Sequence, residues 1–384
     1  MQANASRNYS RLPWTAEFQS EFPTHHARSY LVDRDFDKLF DFLVSEKHVD
    51  FRKSKLISQV LKNEIGIVKN DNEIIITINL PFCEYKCTNC KRSLSRVDKI
   101  GDTYNLYMEA LFKEVDQLRE IIRKKCYIVK SICFVGNIFA LKEEDISKLL
   151  LLCEYPLSEK NVEIGNPLLI TKEKLQILRN FNVDRIIFNA LTFNTLTLRR
   201  LCRHFTFKEA EPYLKLAVEL GFKLSFAFVV GLEDELELQI KRNISLAIEA
   251  GASSIELYSR FCPYEIQIES LTALNAICVQ RNVLEFSYDT LTNAGFTPYF
   301  LYCTEVEGGC FENVGYYLNG KSKYIEDKRL RISTELACGC DVRSLVVKHA
   351  NQSKTEIVAP KTINDYVANI DEYLQNKFDQ LFGN

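Results

Sequence analysis

Three cysteines crowd together in the run PFCEYKCTNC, at Cys83, Cys87 and Cys90, with three and then two residues between them. Thiolates are the ligands of iron–sulfur clusters and of structural zinc. Three of them on so short a loop can hold three irons of a cubane [4Fe–4S] cluster, which leaves the fourth iron open for a small molecule. A structural zinc would normally want a fourth Cys or His nearby, and the closest histidines in sequence, His48 and His204, lie well outside the run. Chance clustering in a chain with 13 cysteines is the third reading. The cluster is the favoured one because three ligands share one short loop.

The remaining cysteines invite blander readings. Cys126, Cys133, Cys153, Cys202, Cys262 and Cys278 are scattered singly, several of them in apolar runs, and read as small buried hydrophobes. Cys303, Cys310, Cys338 and Cys340 raise the question of a second cluster. One residue between Cys338 and Cys340 is a tight spacing for cluster ligands, so the pair argues weakly for it.

The elements that must carry the loop come next. Short β-branched or apolar runs at 73–80 (EIIITINL), 128–135, 160–165, 184–189, 223–230 and 253–258 alternate with segments of helical periodicity. Tyr104, Tyr107, Met108, Leu111, Val115, Leu118 and Ile122 mark one such helix, and Thr206 with Glu209 forms a capping box for another whose start Pro212 could delay. Strands alternating with helices predict a parallel sheet with helical crossovers. Six units fall short of the eight of a closed barrel, so the expected fold is α/β, a partial (β/α)6 barrel of the TIM type. The cysteines follow its first strand directly, at the carboxyl end where such sheets bind ligands. The expected organisation is an N-terminal helical extension over 1–70, a core barrel over 71–297 and a C-terminal α+β lobe over 298–384.

Composition narrows the partners. The 384 residues carry 49 basic and 51 acidic side chains, a net charge of −2, so no basic field exists to attract nucleic acid or an anionic membrane. The opening MQANASRNYSRLPW has no apolar signal region, and no run approaches the roughly 18 apolar residues of a membrane span. The expected location is the cytoplasm, where cysteines point to metal rather than to disulfides.

These residues resemble a family. ITINLPFCEYKCTNC, VEIGNPLLIT (162–171), VDRIIFNALTFN (183–194), LCRHFT (201–206), FVVGLEDE (228–235), FENVGYYLNG (311–320) and ELACGCDVRS (335–344) are similar to the radical S-adenosylmethionine (SAM) domain of oxygen-independent coproporphyrinogen III oxidases and dehydrogenases and their haem-chaperone relatives. The resemblance implies a [4Fe–4S] cluster on Cys83, Cys87 and Cys90 and SAM at its open iron. It implies electron delivery by a donor such as flavodoxin or ferredoxin. It also implies a deoxyadenosyl radical that takes hydrogen from a propionate side chain of a tetrapyrrole, with decarboxylation to a vinyl group. Position by position, Glu163 matches an acidic residue that accepts hydrogen bonds from SAM, and Arg203 an arginine near the SAM carboxylate. Gly136 matches the first glycine of a GGGTP loop at the methionine amino group. No single catalytic residue is assigned.

Other positions depart from that pattern. Asn137, Ile138, Phe139 and Ala140 stand where the family has Gly-Gly-Thr-Pro, and their side chains are expected to crowd the SAM backbone contacts. Thr77 replaces a tyrosine, Leu191 a glutamine, Ala227 an aspartate, Glu233 a proline and Asn89 an aromatic residue. Three functions are therefore weighed: a coproporphyrinogen dehydrogenase, a radical SAM enzyme with another small-molecule substrate, and a cluster- or haem-binding protein that does not cleave SAM.

Overall fold

The computed structural model describes residues 72–88, 90, 95–96, 101–232, 235–259, 283, 286–306, 309–330, 333–348 and 353–382. The segment 1–70 read as a helical extension, and Asn89, Glu233, Cys262 and Cys278, lie outside the described residues.

Strand β1 (Glu73–Leu80) leads into two short pieces, β2 (Phe82–Cys83) and β3 (Ser95–Arg96), which pair with each other. Helix α1 (Gly101–Lys125) follows, then β4 (Ile128–Gly136), α2 (Glu143–Leu152), β5 (Glu159–Ile164), α3 (Lys172–Asn180) and β6 (Arg185–Leu191). Helices α4 (Thr195–Arg200) and α5 (Phe207–Glu219) lead to β7 (Lys223–Val230), α6 (Glu237–Glu249) and β8 (Ala252–Ser259). Strands β1, β4, β5, β6, β7 and β8 pair in that order, each parallel to the next, as the alternating pattern predicts. The capping box of α5 forms, with Thr206 accepting from the Glu209 N–H. Pro212 sits inside α5 and does not delay its start, because the satisfied cap already fixes the first turn.

The C-terminal third contributes strands to this same sheet at both edges. Strands β9 (Thr297–Val306) and β10 (Gly309–Tyr317) form a hairpin that adds antiparallel to β8. After α7 (Lys323–Leu330), β11 (Thr334–Cys338) pairs parallel with β1, and β12 (Arg343–Lys348) and β13 (Ser353–Val358) continue that edge antiparallel. Helices α8 (Ile363–Ala368) and α9 (Ile370–Phe382) end the chain. The result is an open, mixed, 11-stranded sheet with edges at β13 and β9. Among the described residues no helix is long and apolar enough to cross a membrane.

The period of two along each strand sorts side chains between the two faces of the sheet. Ile74, Ile76, Ile78, Phe134, Val162, Phe188, Phe226 and Phe228 fill the face covered by helices. Thr77, Asn79, Asn161, Arg185, Ser225, Ser254 and Glu256 lie on the inner face, buried and polar. Such residues are costly inside a protein unless paired. Arg185 is paired at the amino end of β6: it donates to Ser225 Oγ (2.9 Å), Ser254 Oγ (3.2 Å) and the Gly320 carbonyl (3.0 Å), with Glu159 at 3.7 Å. Tertiary closure of the inner face thus uses a fully buried arginine that sits unremarked in the run DRIIFN.

Candidate functional site

At the opposite, carboxyl end of the strands, the cysteine loop leaves β1. Cys83, Cys87 and Cys90 are reduced and half-buried. The Cys90 N–H donates to the Cys87 carbonyl at 3.0 Å, which turns the backbone tightly between the last two thiols. Thr88 pins the loop to the segment after α4, donating from its N–H to Leu201 O (3.1 Å) and from its hydroxyl to Arg200 O (3.3 Å). Burial pushes the Cys87 thiol up, and the Arg203 guanidinium opposes that rise.

Arg203 is buried and ties strand ends together. Its Nη1 donates to the carbonyls of Asn189 (2.6 Å) and Ala190 (2.7 Å), and its Nη2 to that of Gly165 (3.0 Å). The carbonyls at the ends of β5 and β6 are thereby satisfied and one cation is set beside Cys83, Cys87, Cys90 and Tyr85, whose charges it feels. Burial drives the Tyr85 phenol up to about 12. Two non-glycine residues hold left-handed backbone beside the groups this arginine ties, Leu191 at φ 65° next to Ala190 and Cys202 at φ 56° next to Arg203 itself. Strain of this kind persists only where surrounding contacts enforce it, and the three Arg203 hydrogen bonds do so here.

Gly136, at the end of β4, donates its N–H to Glu163 Oε2 at 3.0 Å. Its φ of +106° suits glycine, and a Cβ there would stand 2.2 Å from the Leu80 carbonyl oxygen. Gly165 keeps a second space clear: a Cβ on it would meet Asn137 Cγ and Cys83 Sγ, each at 3.6 Å. So all six residues singled out from the sequence (Cys83, Cys87, Cys90, Gly136, Glu163, Arg203) stand at one end of the sheet.

A cavity of about 630 Å³, within the range of small-molecule sites, has Glu163 in its lining but none of the three cysteines. Thr77, Asn79, Val135, Glu163 and Asn189 of the inner face line it, with Tyr324 and Lys328 from α7 and Glu335, Asp341, Arg343 and Glu356 from the β11–β13 edge. Thr77 Oγ1 donates to Glu335 (2.6 Å) and meets the Tyr324 hydroxyl at 3.0 Å, so a phenol does reach position 77, supplied by a helix about 250 residues away in the chain. The cations Lys328 and Arg343 pair with Glu335 and Glu356.

The expected crowding by residues 137–140 is only partly realised. Ile138 and Phe139 are fully buried in the hydrophobic core as part of a 3-10 turn over Ile138–Ala140, and Lys174 donates to the Phe139 carbonyl at 2.7 Å. Core burial of apolar side chains removes them from the ligand's side. Only Asn137 meets the space by Gly165.

Sequence reading passed over two features of the site. Cys202, read as a scattered single, accepts a hydrogen bond from Thr88 Oγ1 at 3.4 Å and lies close enough to Cys87 to raise its thiol. Glu235 is buried after β7 beside Thr192, which donates to it, and burial raises its carboxyl from the usual 4.5 to about 7. A carboxyl whose folded-state pKa is raised contributes stability that is full below about pH 4.5 and lost as pH rises through about 7. Glu235→Gln should therefore flatten the fall in stability over that window, by roughly 3 kcal/mol at most. Chemical denaturation at a series of pH values checks it; a parental slope unchanged in the variant would be the contrary result. By contrast, Cys338 and Cys340 are fully buried in the core.

A cubane binds each thiolate to a different iron and so asks for spaced sulfurs around a common point. The three half-buried thiols on one loop, with Arg203 offsetting their negative charge, suit that group. Among the described residues no three His, Cys, Asp or Glu side chains converge as a single ion requires.

The model of the Radical SAM superfamily matches residues 78–247. Members of this superfamily use a [4Fe–4S] cluster and SAM. The chain is also similar to coproporphyrinogen oxidase-like proteins. It is 22% identical over 357 residues to the oxygen-independent coproporphyrinogen-III oxidase-like protein HemZ of Bacillus subtilis, covering 89% of this chain and 70% of that one. To heme chaperone HemW of the same organism it is 28% identical over 190 residues, covering 47% and 49%. The fold is similar to that of coproporphyrinogen III oxidase HemN from Escherichia coli, with a TM-score of 0.58 at 15% identity, covering 78% of this chain and 69% of that one.

Proposed function

We propose that this chain is a cytoplasmic radical SAM oxidoreductase that removes carboxyl groups oxidatively from propionate side chains of a porphyrinogen. The observation that carries the reading is a polar cavity lined by Glu163, which accepts from the Gly136 N–H at the same strand ends that carry the three-thiol loop. In this reading Cys83, Cys87 and Cys90 hold three irons, and a reduced partner such as flavodoxin or ferredoxin supplies the electron. Bound there, the cluster and SAM supply one-electron, hydrogen-abstracting chemistry. Glu163 accepts hydrogen bonds from SAM, and Gly136 allows close backbone approach. Arg203 sets a positive charge near the SAM carboxylate and the thiolates. Lys328 and Arg343 bring two cations to the cavity's lining, and propionate carboxylates would have to compete there with Glu335 and Glu356, their present partners.

The test is an anaerobic reconstitution followed by reduction with dithionite, SAM addition and chromatography for 5′-deoxyadenosine. Formation of deoxyadenosine with conversion of coproporphyrinogen III to vinyl products is the expected outcome. An intact cluster spectrum without deoxyadenosine overturns the enzyme reading and favours the second one, a haem-binding protein. The similarity to heme chaperones supports that second reading, and haem titration checks it. Deoxyadenosine without porphyrinogen turnover leaves a radical SAM enzyme and removes the substrate assignment.

A further inference from the structure

The sheet ends on one side at β13, which pairs in regular antiparallel register with β12 and, among the described residues, with no other strand. An edge strand offers a row of backbone N–H and C=O groups to any chain that lies alongside it, and edges are commonly blunted by a bulge, a proline or charge. No bulge or proline interrupts β13 (Ser353–Val358). Lys354, Thr355, Glu356 and Val358 are exposed, Val358 with 59% of its surface in solvent. A groove of about 440 Å³ separates the end of this strand from Tyr373, Asn376 and Gln380 of α9.

The charges on the strand select its occupant. Two copies of one strand, antiparallel about a twofold axis, pair residue by residue around a central position. Centred on Lys354 or on Glu356, such a pair sets identical charges directly opposite, which repels. Centred on Thr355, it sets Lys354 of each copy opposite Glu356 of the other, and this favourable pair occurs twice. The run Lys-Thr-Glu is thus complementary to itself in antiparallel order.

The cavity lies on the same face. Glu356 lines it together with Arg343 and Leu345 of β12, and Lys354 shares that face by the period of two. Within its own chain Glu356 accepts from Arg343 at 3.2 Å. Directly opposed residues of a sheet project from one face, so an incoming Lys354 arrives beside the Glu356 of the cavity.

We propose that this protein forms a twofold dimer in which two β13 strands pair edge to edge about Thr355, so that Lys354 of each copy joins the Glu356–Arg343 pair beside the cavity of the other. The added cation draws on the carboxylate that holds Arg343 and makes that guanidinium more available to an anionic group in the cavity. This consequence rests on the functional reading above; the interface does not.

The test is sedimentation equilibrium of the full-length chain at low and high salt. The parent should be dimeric, and salt should weaken the dimer because its charge pairs are exposed. Lys354→Glu or Glu356→Lys each replaces two attractions with two repulsions and should weaken the dimer about 10- to 100-fold. Mixing these two variants should restore association, since each then meets opposite charges at both positions, and the double variant should dimerise like the parent. Rescue by mixing excludes misfolding of either variant. Thr355→Cys should form an intermolecular disulfide with oxidised glutathione, mapped by peptide mass spectrometry, because directly opposed residues stand about 4.5–5.5 Å apart at Cα, a spacing that a disulfide spans. A parent that stays monomeric in low salt at its highest attainable concentration overturns the proposal. If every amide over 354–358 is nonetheless protected from hydrogen exchange, the edge belongs to another segment of the same chain. A dimer that neither charge reversal weakens, or that mixing fails to restore, overturns it equally. None of these readouts uses the cluster, SAM or turnover, so loss of the dimer leaves the functional reading standing, and absence of SAM cleavage leaves the dimer standing.

Discussion

Alanine at Cys87 is expected to reduce iron and acid-labile sulfide to background and to abolish the brown chromophore of anaerobically purified protein. Two thiolates remain in that variant, and two protein ligands do not retain a cubane whose fourth iron already lacks one. The effect should be chemical rather than a failure to fold. The loop is pinned through backbone and side-chain atoms of its neighbours: Thr88 holds Leu201 and Arg200, and the Cys90 N–H meets the Cys87 carbonyl, none of which needs the Cys87 sulfur. Metal-free Cys87→Ala should accordingly melt with the metal-free parent. Inductively coupled plasma analysis decides the matter. Full iron in the variant removes Cys87 from the ligand set, and zinc in the anaerobic parent removes the cluster altogether.

A second substitution with a large effect acts on the frame. Glu114 on α1 and Lys377 on α9 are both fully buried and pair at 2.7 Å. Glu114 also accepts from the Gly339 N–H (2.7 Å) and the Tyr366 hydroxyl (2.5 Å), while Lys377 donates to the Ala337 carbonyl (2.5 Å). The network clamps α1, α8 and α9 onto β11, the strand beside β1 from which the cysteine loop departs. Tyr107 and Asn79 extend it toward the cavity: Tyr107 donates to the Asn79 carbonyl at 2.8 Å, and the Asn79 amide donates to the Cys340 carbonyl at 2.7 Å. Lys377→Met leaves the Glu114 carboxylate buried without its cation, and breaking a buried pair in this way costs about 3–5 kcal/mol. The double variant Glu114→Gln with Lys377→Met should recover a good part of that loss, because no charge is then stranded. Urea denaturation of single and double variants, arranged as a cycle, measures both. A loss under about 1 kcal/mol in Lys377→Met would mean that water reaches Glu114 and the pair behaves like a surface one.

Function at the loop and stability at the clamp were not equally visible from residue order. Several of the six parallel strands appear in the sequence because they are buried on both sides and so read as short, largely apolar runs, EIIITINL and KLSFAFVV among them, whereas β5 (EKNVEI) holds only two apolar residues. The cysteine loop was equally plain, since its three ligands are neighbours along the chain. Thr206 and Glu209 announced a helix start because capping acts over three residues.

Long-range partners left no such trace. Glu114 and Lys377 are 263 positions apart, and each alone looks like a solvated charge on an amphipathic helix. Arg185 looks like a charged residue at a strand's edge until Ser225, Ser254 and Gly320 close around it. Thr77 looks like a lost tyrosine until Tyr324 arrives from α7. The segment after 297 has its own turns and aromatic runs, yet its strands join both edges of the one sheet, a pairing that backbone hydrogen bonds make regardless of distance along the chain.

What residue order determined by itself was local and periodic: the strand–helix alternation, the ligand loop and its place at a strand's end. Tertiary structure alone decided which charges meet and which side chains of 137–140 turn into the core. The reason is physical. Periodicity and spacing act between neighbours, whereas burial and pairing depend on what folding brings alongside.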